Sequence, residues 1–140
     1  MPVNFYTEDI VFVLKFKAKR RIWLNTIATQ HNITTGNLSY IFTSDNYLLS
    51  INKKYINHNY YTDIITFPGQ SKDKLSGDIF ISIDRVLENA RTHNCPFETE
   101  LSRVMAHGLL HLLGFNDKTK PEQEQMKKGE NEAIKLYQSL

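Results

Sequence analysis

The sequence predicts an α+β fold in which one small mixed sheet of about four strands packs against helices. Segments with strand-like alternation lie among helical segments in the first part of the chain, and three helical segments follow one another in the second. A short turn separates two consecutive strand segments, which favours an antiparallel pair. With 140 residues, 41% of them hydrophobic, the chain is expected to form a single domain over residues 1–140.

Alternation and apolar spacing define the elements of the first half. Residues 3–6 are expected to form an edge strand, and residues 17–31 a helix, because apolar side chains recur on one of its faces. Residues 37–43 alternate as a strand does. Ser44 or Asp45 then stands where a residue can cap the short helix that follows, which is expected to run through about residue 55.

The second half begins with two strands and continues with helices. A strand over residues 64–67 ends at a Pro-Gly turn, and residues 78–84 are expected to form a strand buried on both faces, because their apolar side chains do not alternate with polar ones. The helices that follow are expected over residues 84–93, 97–113 and 121–137, the first capped by Asp84, the second ended by Gly114 and the third opened by Pro121.

The composition excludes several classes of protein. A formal net charge of +2, from 17 basic and 15 acidic residues, excludes a histone-like polycation and an acidic tail. The single cysteine, Cys95, excludes a disulfide scaffold and a zinc site made of cysteines alone. No apolar run reaches the roughly 18 residues of a membrane span, and the start lacks the layout of a signal peptide. We therefore expect a cytoplasmic protein without a membrane partner.

Positive charge is concentrated in the first part of the chain. Residues 1–62 contain seven lysines and arginines against three acidic residues, a net charge of +4, whereas the remainder has a net charge of −2. Such a basic surface can face a polyanion or can be an ordinary solvated helix face. The sequence leaves both interpretations open.

The most informative segment is the run from His107 to Asp117, with the pattern H-x3-H-x2-G-x2-D. His107 and His111 are four residues apart on a predicted helix, so that both imidazoles lie on one face. Gly114 can end that helix, and Asp117 follows at the spacing of the third ligand in the metzincin motif. These residues predict a site for one Zn²⁺ ion, with three protein ligands and a fourth position open to water, as in catalytic sites.

The residue after the first histidine argues against a peptidase. Zinc peptidases with this helix carry a glutamate there as general base, and this chain has Gly108. The protein then needs another base, or the substrate must supply one. A metallopeptidase is therefore the disfavoured alternative.

Two further segments are chemically suggestive. Asp63, in the Thr-Asp pair that precedes a strand, belongs either to an ordinary turn or to the site. A second segment places tyrosines beside Lys53, Lys54 and His58. Such a mixture of aromatic and basic side chains can stack bases and bind phosphates of a nucleic acid. It can equally consist of tyrosines that pack in the core and basic residues exposed to solvent around them.

Taken together, these residues resemble the YbeY family of bacterial rRNA-maturation endoribonucleases. The family signature H-G-x-L-H-L-x-G-[YF]-D-H corresponds to the segment that begins at His107. Three further blocks occur in the family's order, so that the resemblance covers roughly residues 36–137. They are Asn52 and Tyr55 with Thr62, Asp63, Phe67 and Pro68; Gly77, Asp78 and Ile79; and the acidic helix from Glu122 to Ala133.

Two positions depart from the family pattern. Asp117 stands where the family has its third histidine, and Asn116 stands where the family has an aspartate. Aspartate is itself a competent zinc ligand, so Asp117 can take the place of that histidine. Ile56 stands where the family has an arginine suited to a phosphate contact. Lys54, His58 and Lys118 are candidates to substitute for it.

The resemblance implies zinc-dependent hydrolysis of single-stranded RNA in maturation of the small-subunit rRNA and in ribosome assembly, with no role on DNA. His107, His111 and Asp117 would hold the metal, and Asp63 would act as a base or orient a ligand histidine. Lys53, Lys54, His58 and Lys118 are the candidate RNA contacts. The alternative is an RNA-binding ribosome-assembly factor with a structural metal and little or no nuclease activity, which the absent arginine favours.

Overall fold

The elements follow one another in the order that the sequence predicts. The computed structural model describes residues 3–140, so the first two residues of the predicted domain lie outside the described part. The predicted helix after residue 44 consists of an α-helix continued by a π-helical turn. The elements are β1 (Val3–Thr7), α1 (Lys17–Gln30), β2 (Thr34–Thr43), α2 (Asp45–Ile51), the π-helical turn (Asn52–Ile56), β3 (Ile64–Pro68), β4 (Lys74–Ser82), α3 (Ile83–Thr92), α4 (Phe97–Leu112) and α5 (Lys120–Ser139).

The four strands form one mixed sheet in the order β1-β2-β4-β3. β2 pairs in parallel with both β1 and β4, whereas β3 runs antiparallel to β4. β1 lies at one edge and β3 at the other. The predictions of an α+β fold, of a mixed sheet and of an antiparallel pair between the third and fourth strands are therefore confirmed.

The core lies between one face of the sheet and the helices. Tyr40 and Ile79 are paired in register on that face and are fully buried, and the Tyr40 hydroxyl donates to the Met105 carbonyl of α4 at 2.9 Å. The indole of Trp23 in α1 donates to the Ala133 carbonyl of α5 at 2.8 Å, which joins the first helix to the last. Within residues 3–140, no helix is both long and apolar enough to cross a membrane.

Two details of the β4–α3 region differ from the prediction. β4 is not buried on both faces, because Phe80 is half-exposed and Asp78 is exposed on the face away from Ile79. The cap of α3 is Ser82 rather than Asp84: the Ser82 hydroxyl accepts from the Arg85 N–H at 3.2 Å. Asp84 lies in the first turn instead, and its carboxylate accepts from the Asp45 N–H at the start of α2.

Candidate metal centre

Helix α4 presents two histidines on the same side, one turn apart. The rings of His107 and His111 have their centroids 4.6 Å apart and are inclined at 77°. Both side chains are half-buried, whereas the opposite side of this part of the helix is fully buried against the sheet. The spacing of four residues therefore places the two imidazoles together at the edge of the core, as the sequence predicts.

A reversal of the chain after α4 brings the third group to them. Gly114 has a φ of 105°, a conformation that side chains disfavour, and it follows directly on the last turn of the helix. Asp117 then lies opposite the histidines, with its Oδ2 atom 3.4 Å from His107 Nε2 and 3.2 Å from His111 Nε2. Among the described residues, these three form the only cluster of three or more histidine, cysteine, aspartate or glutamate side chains whose ligand atoms lie close enough together to hold a metal ion.

Hydrogen bonds on the far side of each ring determine which nitrogen is available. His107 Nδ1 lies 2.6 Å from Glu130 Oε2, and His111 Nδ1 lies 3.0 Å from the Phe115 carbonyl oxygen. A carboxylate and a carbonyl only accept, so both Nδ1 atoms carry the proton. Each Nε2 atom is then left with a lone pair that points towards Asp117, which is the tautomer a metal ligand requires.

The donor set fits a tetrahedral divalent ion. Zinc bonds to nitrogen and oxygen at about 2.0–2.1 Å, and a tetrahedron of that size separates neighbouring ligand atoms by about 3.4 Å. The two distances to Asp117 Oδ2 match this separation, and all three ligand atoms lie within 4.8 Å of one another. Two neutral imidazoles and one carboxylate would leave a fourth position open.

The three groups face a cavity of about 450 Å³, which we call the Asp63 cavity. Its other walls come from the π-helical turn, the loop that follows it and β3. Besides His107, His111 and Asp117, it is lined by Asn52, Ile56, His58, Tyr60, Asp63 and the residues from Thr62 to Thr66. Asn52, Thr62 and Asp63, which belong to the blocks that resemble the YbeY family, thus line the same cavity as His107, although Asp63 and His107 are 44 positions apart in sequence.

Asp63 is half-buried in this cavity. Burial raises the pKa of its carboxyl group, although the nearby His107 and a hydrogen bond from Asn89 Nδ2 at 3.1 Å oppose that change. Its side chain accepts from Asn89 and makes no hydrogen bond to either histidine. Glu130, not Asp63, contacts the ligand histidine His107.

The four predicted RNA contacts lie in different surroundings. His58 lines the Asp63 cavity, where its ring stacks on Tyr60 at a centroid distance of 5.0 Å. Lys53 and Lys54 are exposed on the π-helical turn, and Lys118 is exposed directly after Asp117. None of these three lysines lines the cavity.

Glu130 is the residue of this centre that the sequence reasoning did not single out. It is buried on α5, where it accepts from Arg103 Nη1 at 3.3 Å as well as contacting His107. A signal for it existed, because Met126, Glu130 and Ala133 form the buried stripe of α5 and a glutamate within such a stripe needs a partner.

The surroundings of His107 act on its pKa in opposite directions. Burial lowers the pKa of the imidazole, but the hydrogen bond and charge of Glu130 and the charges of Asp63 and Asp117 together raise it above its usual value. This concentration of negative charge around a histidine favours a cation at the site.

Comparison with known proteins agrees with this geometry. The model of the family described as endoribonuclease YbeY matches residues 3–138, a wider span than the sequence blocks alone cover. The chain belongs to the YbeY family. An endoribonuclease YbeY from Cytophaga hutchinsonii is 49% identical over 135 residues, which cover 96% of this chain and 94% of that protein. One from Parabacteroides distasonis is 43% identical, with 97% and 96% covered.

A solved structure has a similar fold. The solution structure of TM1509 from Thermotoga maritima has a TM-score of 0.62 with this YbeY-family chain at 28% sequence identity. The likeness covers 98% of this chain and 92% of that one, so it includes all the elements that form the metal centre.

Proposed function

We propose that the protein is a metal-dependent endoribonuclease that hydrolyses single-stranded RNA. The observation that supports this most is the set of three ligand atoms, with both histidines fixed in the metal-binding tautomer, beside a cavity large enough for a nucleotide. Relatives that are 43–49% identical over nearly the whole chain are named endoribonucleases. The donor set suits zinc, as nitrogen and carboxylate ligands in tetrahedral geometry do.

The residues of the site have separable roles in this proposal. When bound, the ion would act as a Lewis acid on the phosphoryl group and lower the pKa of a water molecule. Glu130 and the Phe115 carbonyl hold the two imidazoles in position. Asp63 faces the same cavity, and burial raises the pKa of its carboxyl group above the usual aspartate value, which makes it a stronger base.

The surface around the site suits a single strand. The stacked pair His58 and Tyr60 offers a platform for an unpaired base, which is how proteins commonly bind single-stranded RNA. Lys53, Lys54 and Lys118, exposed outside the cavity, are proposed as more distant contacts with the backbone. The resemblance to the family supports small-subunit rRNA as the substrate, a role in ribosome assembly and a cytoplasmic location.

The proposal is tested by replacing one candidate ligand and comparing it with an exposed residue outside the site. His111→Ala is expected to lose bound zinc and to reduce cleavage of a single-stranded RNA by at least about a hundredfold. Gln30→Ala, exposed at the end of α1, is expected to keep both. Zinc is measured by elemental analysis and cleavage by gel electrophoresis. Unchanged zinc content in His111→Ala would refute the site.

A second candidate is a non-catalytic RNA-binding assembly factor with a structural metal. It is favoured by the absence of any lysine or arginine among the described residues that line the Asp63 cavity, where Ile56 lies. Equal RNA cleavage by the wild type and by His107→Ala would indicate a contaminating nuclease and would support this candidate.

A metallopeptidase is disfavoured by packing as well as by sequence. A Cβ atom on Gly108 would lie 2.7 Å from Ile64 Cδ1 and 2.8 Å from Ile79 Cγ2. The position after His107 therefore points into the sheet and has no room for a glutamate base. Peptide hydrolysis that disappears with a chelator would overturn this exclusion.

A further inference from the structure

A second cavity touches the metal ligands from the other side of His107. It has a volume of about 570 Å³ and lies between α4, α5 and the segment before α4. We call it the Arg103 cavity; its lining includes His93, Arg103, His107, Asp117, Gln123 and Lys127. It shares His107 and Asp117 with the Asp63 cavity, so a strand bound at the metal centre can reach both.

The two cavities differ in the chemistry of their walls. The Asp63 cavity contains the stacked rings of His58 and Tyr60. Arg103 and Lys127 both line the Arg103 cavity, and among the described residues they are the only arginine or lysine in the lining of either cavity. One side therefore suits a base, and the other a phosphate.

The cations of the Arg103 cavity retain capacity for a ligand. Arg103 uses Nη1 for Glu130 and for Asn131 Oδ1, at 3.3 and 3.1 Å, and within residues 3–140 its Nε and Nη2 atoms make no hydrogen bond. A guanidinium with two donors available can contact two phosphate oxygens. Lys127 is exposed and makes no ion pair within the same residues.

The carboxylates of this wall already have partners. Glu130 is bonded by Arg103 and His107, and buried Glu100 lies 3.1 Å from His93 Nδ1. With Asp117 directed to the metal position, the formal charges of Arg103 and Lys127 balance those of Glu100 and Glu130. Lys127 is the cation of this wall that no carboxylate contacts within residues 3–140, so it can contact a phosphate.

We propose that the Arg103 cavity binds the phosphate of the nucleotide next to the scissile bond, with Arg103 and Lys127 as its contacts. This inference rests on the proposed endoribonuclease function and supplies the phosphate contacts that the Asp63 cavity lacks. The strand crosses the metal centre with a base on the His58–Tyr60 platform on one side and a backbone phosphate between α4 and α5 on the other.

The test measures the affinity of the zinc-loaded full chain for a fluorescein-labelled, nuclease-resistant 2′-O-methyl oligouridylate, by anisotropy at several salt concentrations. Arg103→Gln is expected to weaken binding about tenfold, as the loss of a charged hydrogen bond does. Lys127→Gln is expected to weaken it about threefold and to reduce the salt slope by about 0.7, the value for one phosphate contact on a single strand.

Arg91→Gln is the matched control, because Arg91 is largely exposed on α3 and, within residues 3–140, pairs only with Glu88, at 3.9 Å. Since Arg103→Gln also removes a partner of Glu130, zinc content is measured in every variant. Lys127 makes no hydrogen bond or ion pair with Glu130, so Lys127→Gln tests the phosphate site even where Arg103→Gln loses zinc.

The outcomes separate this inference from the proposed function. Weaker binding and a smaller salt slope in Lys127→Gln, with wild-type zinc content, support the Arg103 cavity as a phosphate site. Affinity and slope equal to those of Arg91→Gln overturn it, while the endoribonuclease proposal stands as long as the wild type cleaves RNA and His111→Ala does not. A wild type that neither binds nor cleaves RNA overturns both.

Discussion

Glu130 occupies a position in the buried stripe of α5 where a helix ordinarily places an apolar side chain. Its carboxylate is compensated by Arg103 on one oxygen and by His107 on the other. A carboxylate that accepts from Nδ1 fixes the ring and makes the imidazole a better ligand. Glu130 would therefore act on a bound metal through His107, by positioning that ring.

Replacing Glu130 is expected to weaken zinc binding while leaving the fold intact. Glu130→Gln retains an acceptor for Nδ1 but loses the charge, and changes of this kind lower metal affinity about 10–100-fold. Competition with a chromophoric chelator measures the affinity. Glu132→Gln, exposed on the same helix, is the matched control. Equal zinc affinity in the two variants would contradict a positioning role for Glu130.

Gly108 sets how closely α4 approaches the sheet. Gly108→Ala places a methyl group within 3 Å of both Ile64 and Ile79, and overpacking of this kind costs about 1–3 kcal/mol of unfolding free energy. In Gly129→Ala, on α5, the nearest atom is the end of the flexible Leu110 side chain at 3.0 Å, so a smaller loss is expected. Urea unfolding of the metal-free proteins measures both. Equal losses would contradict the packing explanation.

At the scale of elements, the site depends on how α4 and α5 are joined. α5 begins with a capping box: Thr119 Oγ1 accepts from the Glu122 N–H at 3.3 Å, and Glu122 Oε1 accepts from the Thr119 N–H at 2.8 Å. The box begins two residues after Asp117, so it fixes the start of the helix that carries Glu130. The turn between the helices thus connects the third metal ligand to the helix that orients the first.

The capping box makes a pH-dependent contribution to stability. Its hydrogen bonds lower the pKa of Glu122, chiefly that from the Thr119 N–H. A carboxyl group whose pKa is lower in the folded than in the unfolded state stabilises the fold at pH values above the usual glutamate pKa. That stabilisation is lost as the pH falls through the folded-state pKa. Thr119→Ala removes the hydroxyl but keeps the backbone N–H, so it is expected to bring the pKa of Glu122 only part of the way back to its usual value, as seen by NMR titration.

The same variant is expected to lower the unfolding free energy at neutral pH by about 1 kcal/mol, as the loss of a helix cap does. Thr92→Ala is the control, because Thr92 is exposed and its hydroxyl makes no hydrogen bond among the described residues. If the pKa of Glu122 is the same in Thr119→Ala as in the wild type, the Thr119 hydroxyl does not help to lower it.

At the scale of the whole molecule, much of the architecture was predictable because it rests on local patterns. Alternation in residues 37–43 and the apolar stripe of residues 17–31 correspond to β2 and α1. The spacing of His107, His111, Gly114 and Asp117 is also local, so the close approach of the three ligand atoms could be predicted as well.

What could not be predicted depends on contacts between distant elements. Glu130 meets His107 across 23 positions, and the Arg103 cavity exists only because α4 packs against α5. Asp84 is predicted to cap α3 because aspartate is a good cap, but the strand continues to Ser82, and the Ser82 hydroxyl accepts from the Arg85 N–H in the first turn. Such details depend on how distant segments pair and pack, and the local periodicity of apolar residues carries no information about those contacts.

We propose that His107, His111 and Asp117 hold one zinc ion beside the cavity that admits RNA. Anomalous X-ray scattering from crystals of the zinc-loaded protein, recorded on both sides of the zinc absorption edge, tests this arrangement. We expect one peak, about 2.0–2.2 Å from both Nε2 atoms and from an Asp117 carboxylate oxygen, with its fourth side towards the Asp63 cavity. A zinc peak elsewhere, or one that Asp117 does not contact, would contradict it.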